Sequence, residues 1–201
     1  MPKMIREGQE IYLAPQILGV IREGRAIAID EKNNNEELDP TDIDSKIIIY
    51  ERQVKGWFLD RASRLLSSGD NDFIVLMVCM SYFEGVEQYR QGCDSNGSSA
   101  KMFKDAIQNL YRDSDFTRDN LENLYKEARC GLFHDGMVRG KIILKNSFSP
   151  AISFIGNDIQ ISPRKLLNDI KKDFRDYIKK LKDINSNERV NFDAKYEIPG
   201  A

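Results

Sequence analysis

The chain has 201 residues, of which 41% are hydrophobic and 31% are charged, a balance that can bury a core and still solvate a surface. This composition excludes a disordered or collagen-like chain and predicts one globular domain with additions at its edges. With 30 basic and 32 acidic residues, the formal net charge is −2, which excludes a general electrostatic attraction to nucleic acid or to an anionic membrane.

The cysteines and the first ten residues indicate in which cellular compartment the protein is expected. Cys79, Cys93 and Cys130 are far apart and have no histidines grouped with them, so we expect reduced thiols and no metal site. No cofactor is predicted either. Residues 1–10 carry charges where a secretory leader would have an apolar run, and no stretch of about 18 apolar residues follows. We therefore expect a cytoplasmic protein with no membrane partner.

The first 45 residues differ in pattern from the rest of the chain. Residues 10–30 alternate apolar and polar positions around Gly24, which predicts a small β-hairpin. Residues 31–45 are acidic and poor in apolar side chains, which is typical of a solvated linker. We therefore predict an N-terminal extension over residues 1–45, made of a hairpin and an acidic linker.

From residue 46 the apolar residues recur at steps of three and four, which indicates helices. Four are predicted in succession: one ending at Gly69, one around Phe73–Phe83, one around Phe103–Tyr111, and one beginning near Thr117. The second is apolar nearly all round and is therefore expected to be a central, buried helix.

Three short β-rich segments follow between about residues 141 and 162, and they predict a small antiparallel hairpin or meander inserted among the helices. Ser162 and Pro163 then begin a long amphipathic helix. The tail, residues 186–201, has no clear period. The predicted fold class is therefore mainly α: a bundle of four to five helices over residues 46–185 with two small β additions.

The only histidine of the chain lies in the sequence RCGLFH, residues 129–134, five positions after Arg129. In a continuous α-helix five residues turn by ~500°, so Arg129 and His134 would lie ~140° apart. Gly131 costs about 1 kcal/mol inside a helix, so we expect the helix to bend or stop there and both side chains to face one cleft. Gly136 offers a second such position.

Arginine and histidine together suit the cleavage of a phosphodiester. The guanidinium matches phosphate oxygens, and imidazole can take or give a proton near neutral pH. RNA carries its own nucleophile in the 2′-hydroxyl, so its cleavage requires only a base, an acid and stabilisation of the transition state. One histidine cannot readily fill both proton-transfer roles, so the chemistry favours a dimer in which two chains share one site.

At these residues the chain resembles the HEPN superfamily, compact helical bundles of bacterial toxins, phage-defence proteins and RNA-targeting effectors. The likeness rests on the R-x4-H spacing of Arg129 and His134 and covers roughly residues 46–185. It implies a HEPN-like helical bundle and a metal-independent endoribonuclease that acts as a homodimer, with Arg129 and His134 as the catalytic pair. It also implies a role in defence, stress or a toxin system, and allows for a regulatory protein or an antitoxin as a partner.

Two positions depart from the family pattern. Many active members have a polar residue, often asparagine, directly after the arginine, where this chain has Cys130. The toxins that are paired with a nucleotidyltransferase antitoxin have a tyrosine two positions after the histidine, where this chain has Gly136. Tyrosine adenylylation of that kind is therefore not predicted.

Other charged residues are candidates for supporting roles. Glu84 and Glu87 interrupt the apolar second helix, where their carboxylates can orient Arg129 or a histidine or simply mark where the helix reaches solvent. We expect Glu84 to be a buried ion-pair partner and Glu87 to face solvent. Arg139, Lys141 and Lys145 follow the motif and are candidates for binding RNA phosphates, with a merely solvated face as the alternative.

Three other interpretations of the motif stay open at the level of sequence. His134 can be a structural group at a helix end. Cys130 can be a thiol nucleophile with His134 as its base, although no third orienting group is identifiable. The domain can also be an inert HEPN-like module that binds protein or nucleic acid without cleaving it.

Overall fold

The computed structural model describes residues 5–198, and the chain divides into two compact units. The first unit contains the described residues up to Arg61 together with those from Tyr177 onward, and the second runs from Ala62 to Asp176. Each unit contains one sheet, of four strands in the first and of three in the second.

The sheet of the first unit is antiparallel, with its strands side by side in chain order. They are β1 (Ile11–Ala14), β2 (Ile17–Arg22), β3 (Arg25–Asp30) and β4 (Glu36–Leu38). Arg22 pairs with Arg25, and the two residues between them, Glu23 and Gly24, have φ of 51° and 74°. A two-residue hairpin turn requires this left-handed conformation, which glycine adopts without strain.

The helices of the first unit include α1 (Ile43–Gln53), a π-helical segment that follows it directly (Val54–Leu59), α2 (Asp60–Leu65), which continues into the second unit, and α7 (Asn187–Lys195). The Asp42 side chain caps α1 by accepting a hydrogen bond from the backbone N–H of Ser45. Arg52 on α1 donates two hydrogen bonds, of 3.2 and 2.8 Å, to the buried carboxylate of Asp30 at the end of β3. This bidentate pair fixes α1 against the sheet.

The second unit is richer in helix. It contains α3 (Asp72–Gln91), α4 (Ser99–Leu110), α5 (Arg118–Leu124), a second π-helical segment (Tyr125–Asp135) and the part of α6 (Pro163–Lys182) up to Asp176. Its sheet consists of β5 (Ile142–Leu144), β6 (Ile152–Ile155) and β7 (Asp158–Ile161). β7 lies in the middle and pairs antiparallel with β6 and parallel with β5.

A row of aromatic rings in the second unit joins α3 and α4 to the second π-helical segment. The Phe83 and Phe103 ring centroids are 5.6 Å apart, and those of Phe103 and Tyr125 are 5.5 Å apart, both edge to face. Phe83 and Phe103 are completely or almost completely buried. Since such pairs add to the free energy of burial, they hold the start of the π-helical segment in place.

The predicted bundle of four to five helices is wrong, because the fold is a mixture of helices with a four-stranded and a three-stranded sheet. Part of the supposed acidic linker forms β4, in which Glu36 and Glu37 are exposed and Leu38 is buried; pairing with β3 compensates for the weak strand propensity. The predicted antiparallel meander also contains the parallel pair β5–β7. The supposedly patternless tail forms α7, with Ser186 as its N-cap.

One further expectation concerns α3, which the sequence predicts to be buried on all sides. Its first turns instead expose three large apolar side chains, Phe73, Ile74 and Met77. The opposite side of the same helix is buried through Val75, Leu76 and Cys79 among others. The helix therefore has one apolar face in the core and another at the surface. Among the described residues, no helix has both the length and the apolar composition required to cross a membrane.

Candidate active site

The motif residues 129–134 lie within the second π-helical segment, Tyr125–Asp135, which continues α5 without a break. The helical segment continues through Gly131 and does not stop there, as the sequence had allowed. It ends one turn later, at Gly136, which has a φ of 75° and donates its N–H to the carbonyl oxygen of Gly131. Gly136 therefore acts as the left-handed terminating residue.

Gly131 is required for a different reason, which is the close approach of the chain that follows the helix. A Cβ atom at this position would lie 2.6 Å from the carbonyl oxygen of Met137 and 3.2 Å from the backbone nitrogen of Arg139. Two backbone hydrogen bonds hold that chain in place, from Met137 N to Gly131 O (3.3 Å) and from Arg139 N to Glu127 O (2.9 Å). Only a residue without a side chain allows this packing.

The wide winding of the segment determines how Arg129 and His134 are arranged. In a π-helix the backbone hydrogen bonds join residues five apart, whereas in an α-helix they join residues four apart. Residues i and i+5 therefore lie about one turn apart on the same side of a π-helix, although an α-helix would separate them by ~140°. The R-x4-H spacing thus matches the winding of the segment that carries it.

Three side chains surround the Arg129 guanidinium. Its Nη2 donates a hydrogen bond of 2.7 Å to Oε2 of Glu84 on α3. Its Cζ lies over the ring of Tyr125, 5.6 Å from the centroid, and over the ring of Phe133, 5.2 Å from the centroid. The arginine side chain is 19% exposed. An ion pair and two cation–π contacts therefore hold the guanidinium in a defined orientation.

Part of the Arg129 guanidinium stays available for an anion. It has five N–H donors, and within residues 5–198 its side chain makes one hydrogen bond, to Glu84. His134 is exposed, and no other side chain in the same range forms a hydrogen bond or an ion pair with its imidazole. A held cation and an accessible imidazole on one helical segment are groups that can bind a phosphate and move a proton.

Cys130 is half-buried and lies beside the phenol of Tyr125. Burial raises the pKa of Tyr125, and the neighbouring Cys130 adds to that increase. The phenol is therefore neutral at physiological pH. In the described part of the chain the thiol has no hydrogen bond to His134, so nothing there supports the Cys–His nucleophile that the spacing alone allows.

The basic residues after the motif are divided between two places. Arg139 forms an ion pair of 2.8 Å with Asp135 at the end of the π-helical segment. Lys141, which is half-buried, and Lys145, which is exposed, flank β5, and their alternation with Ile143 places all three on one side of the strand. Arg139 is thus already paired with a carboxylate, whereas the two lysines have no ion-pair partner in the described residues.

The structure adds two residues to the site and corrects a third. Tyr125 and Phe133 were not identified from the sequence, although their positions four before and four after Arg129 could have indicated contact along one helix. Glu87 was expected to face solvent but is buried, and it accepts hydrogen bonds from Gln91 (2.9 Å) and Asn109 (3.4 Å). Hydrogen bonds from these two side chains therefore stabilise the buried carboxylate.

Within residues 5–198, no three His, Cys, Asp or Glu side chains are grouped as ligands for a metal ion. No protein-family model matches the chain, and neither a curated protein nor a solved structure is significantly similar to it.

Proposed function

We propose that the chain is a metal-independent endoribonuclease that acts as a homodimer, with Arg129 and His134 as the catalytic pair. The observation that carries the proposal is the π-helical segment, which puts an accessible imidazole about one turn from a guanidinium held by Glu84. The resemblance to HEPN proteins at RCGLFH supports the same chemistry. A defence, stress or toxin setting, a regulatory protein or antitoxin, and a cytoplasmic location follow from the resemblance or the sequence alone.

The reaction uses the 2′-hydroxyl of the RNA. The imidazole of one His134 removes the 2′-hydroxyl proton while the 2′-oxygen forms a bond to the adjacent phosphorus and the bond from phosphorus to the 5′-oxygen breaks. The leaving 5′-oxygen takes a proton from an acid, and the products are a 2′,3′-cyclic phosphate and a 5′-hydroxyl. Arg129 stabilises the negative charge that builds on the phosphate oxygens. Glu84, which holds Arg129, is a positioning residue.

A second copy of the chain would supply the acid, since each chain has one histidine. The apolar face of α3, formed by Phe73, Ile74 and Met77, is a surface that such a copy could cover. It lies on the helix that carries Glu84, and Ile74, Met77, Ser81 and Glu84 follow one another at steps of three and four along that helix. Exposed apolar patches of this kind are typical of interfaces.

The proposal is tested by incubating purified protein with single-stranded RNA in EDTA. We expect cleavage by the wild type, and a loss of ~10²-fold or more in His134→Ala and in Arg129→Ala, because each removes an acid–base or charge-stabilising group. Arg22→Ala is the matched control, since Arg22 forms an exposed ion pair with Glu37 in the first unit. Circular dichroism should show that all three variants are folded.

Three results would contradict this mechanism: cleavage of DNA, which lacks the 2′-hydroxyl, a strict requirement for Mg²⁺, or full activity of His134→Ala. The dimer is tested separately by light scattering on the wild type and on Met77→Glu, which puts a charge on the apolar face of α3. We expect Met77→Glu to lose the dimer and the cleavage together. A wild type that is monomeric at micromolar concentration would argue against the shared site.

The second candidate function is an inert module that binds RNA or protein. It is favoured by Cys130, which lies beside Tyr125 at the position where many active HEPN proteins have a polar residue. The ion pair between Arg129 and Glu84 also neutralises part of the charge that would otherwise face a phosphate. Binding of single-stranded RNA without any cleavage by the wild type would select this function.

A further inference from the structure

Phe133 is unusual in being an exposed phenylalanine inside the motif. It precedes His134 directly and is 44% exposed, whereas phenylalanine side chains in general are among the most buried. The Arg129 guanidinium lies over its ring at 5.2 Å from the centroid. A planar cation thus already lies over one face of the ring, and an aromatic ring has two faces.

We infer that Phe133 is a stacking platform for a nucleobase of single-stranded RNA, next to the bond that is cut. The inference rests on the proposed function and names a binding subsite for its substrate. The 2′-hydroxyl that His134 would deprotonate belongs to a ribose that also carries a base. A ring on the residue adjacent to His134 is therefore within about one nucleotide of that base, which single-stranded RNA can present unstacked.

The chemistry of the ring determines what it recognises. A phenyl group has no hydrogen-bonding groups, so it can contact the π-face of a base but cannot read its edge. Every base has a π-face, and the subsite should therefore accept all four bases while discriminating strongly against a nucleotide that has none. The guanidinium beside the ring would contact the phosphate, so base and phosphate are held from neighbouring positions of one helix.

The experiment uses fluorescently labelled RNA with one preferred cleavage site, together with the same RNA carrying an abasic ribose directly 5′ of the scissile phosphate. The abasic RNA keeps its 2′-hydroxyl and its backbone charge. Binding by fluorescence anisotropy and cleavage in EDTA are measured for the wild type, Phe133→Leu and Phe133→Trp. Phe58→Leu is the matched control, since Phe58 is 48% exposed on the other π-helical segment.

We expect the wild type, Phe133→Trp and Phe58→Leu to prefer the intact RNA by about 10- to 100-fold in Kd and in KM, the range that base–aromatic stacking supports. Phe133→Leu should bind both RNAs with the weak affinity that the wild type has for the abasic one. A merely structural role, such as holding Arg129, would lower kcat equally on both RNAs and leave the preference unchanged. That outcome overturns the inference.

The binding measurement separates this inference from the proposed function. If the wild type cuts neither RNA, the abasic ribose is placed at each position of the RNA in turn. A loss of binding at one of these positions that Phe133→Leu no longer shows supports base stacking on Phe133, while the endoribonuclease proposal fails. If the wild type cuts RNA and Phe133→Leu keeps the full preference for intact RNA, the platform fails and the endoribonuclease stands. Dissociation of the dimer in Phe133→Leu, seen by light scattering, or the absence of RNA binding by the wild type would also overturn the inference.

Discussion

Residues 5–198 include two π-helical segments, and they are built in the same way but present different side chains. Each continues an α-helix, and each contains a glycine against which another part of its own unit packs. At Gly56 the neighbour is the Pro15 ring, with Cγ 2.7 Å from where a Cβ would be; at Gly131 it is the carbonyl oxygen of Met137, at 2.6 Å. In both segments, π-helical winding therefore occurs together with a glycine that is in close contact with a neighbouring group.

The difference between the segments lies in their chemistry. Val54–Leu59 has the sequence VKGWFL, in which Lys55 is the one charged residue, and Lys55 is paired with Glu51. Tyr125–Asp135 carries an arginine held by Glu84 and the exposed His134. A π-helical segment alone is thus no indication of a catalytic site in this protein. The indication comes from which residues its five-residue spacing brings to one side.

The largest expected effect distinguishes the two glycines. In Gly131→Ala the new methyl group would displace the Met137 backbone and favour α-helical winding, which turns Arg129 and His134 away from each other. We expect cleavage to fall ~10²-fold, as for loss of a catalytic group. In Gly56→Ala the Pro15 ring must shift, at a cost of about 1–3 kcal/mol in the free energy of unfolding, with no change in cleavage.

Both glycine variants are assayed for RNA cleavage below their unfolding temperatures, and their unfolding free energies are measured in urea. Gly131→Ala with wild-type activity would show that the site does not depend on π-helical winding. Loss of cleavage in a fully folded Gly56→Ala would show that the first π-helical segment also contributes to the activity. The proposed functional difference between the two segments would then be wrong.

The second prediction concerns the ion pair beside each segment. Glu84→Gln removes the carboxylate that holds Arg129, so we expect cleavage to fall about 10-fold through kcat, since the guanidinium is less well positioned in the transition state. Glu51→Gln removes the equivalent partner of Lys55 and should leave kcat and KM unchanged. Steady-state kinetics on one RNA decide between these outcomes. An effect of Glu84→Gln on KM alone would mean that Glu84 affects RNA binding and does not position Arg129 for catalysis.

A smaller effect is expected at Cys130. Cys130→Asn replaces the thiol by the polar group that many HEPN proteins have there, and we expect cleavage to increase by a few fold, on the order of 1 kcal/mol in activation free energy. Cys93→Ser, at an exposed thiol outside the motif, is the control and should change nothing. A fall in the rate of Cys130→Asn would indicate that the contact of the thiol with Tyr125 matters more than polarity at this position.

Helix starts and tight turns could be predicted from the sequence, because residues adjacent in the chain determine them. Thr117 forms a capping box with Asn120, Ser162 and Pro163 begin α6, and Glu23-Gly24 forms a tight turn, all of which adjacent residues determine. The sheets could not be predicted as fully, since the pairing of β3 with β4 and of β5 with β7 depends on residues distant in sequence or weak in propensity.

The candidate site could likewise be predicted only in part from the sequence. The residue types at 129 and 134 and the role of Glu84 were accessible to chemical reasoning, whereas the winding that relates them was not. A helical period in the sequence reports which residues are apolar, and it does not distinguish 3.6 residues per turn from a wider π-helical turn over a few residues. The determinant is the return of the chain at Met137 and Arg139 onto Gly131, which is a tertiary contact.

The smallest effect is expected at the ion pair of the first segment and depends on pH. Burial raises the pKa of Glu51, but hydrogen bonds from Lys55 and Lys182 outweigh that effect and hold the pKa below its usual range. Because the folded pKa is the lower one, the carboxylate stabilises the fold above the unfolded pKa, and this contribution is lost as the pH falls through the folded value. A double-mutant cycle of Glu51→Gln and Lys55→Met should therefore give a coupling of about 0.3–0.5 kcal/mol at neutral pH and about zero in strong acid. A coupling that stays constant across this range would mean that the two side chains interact through packing and not through charge.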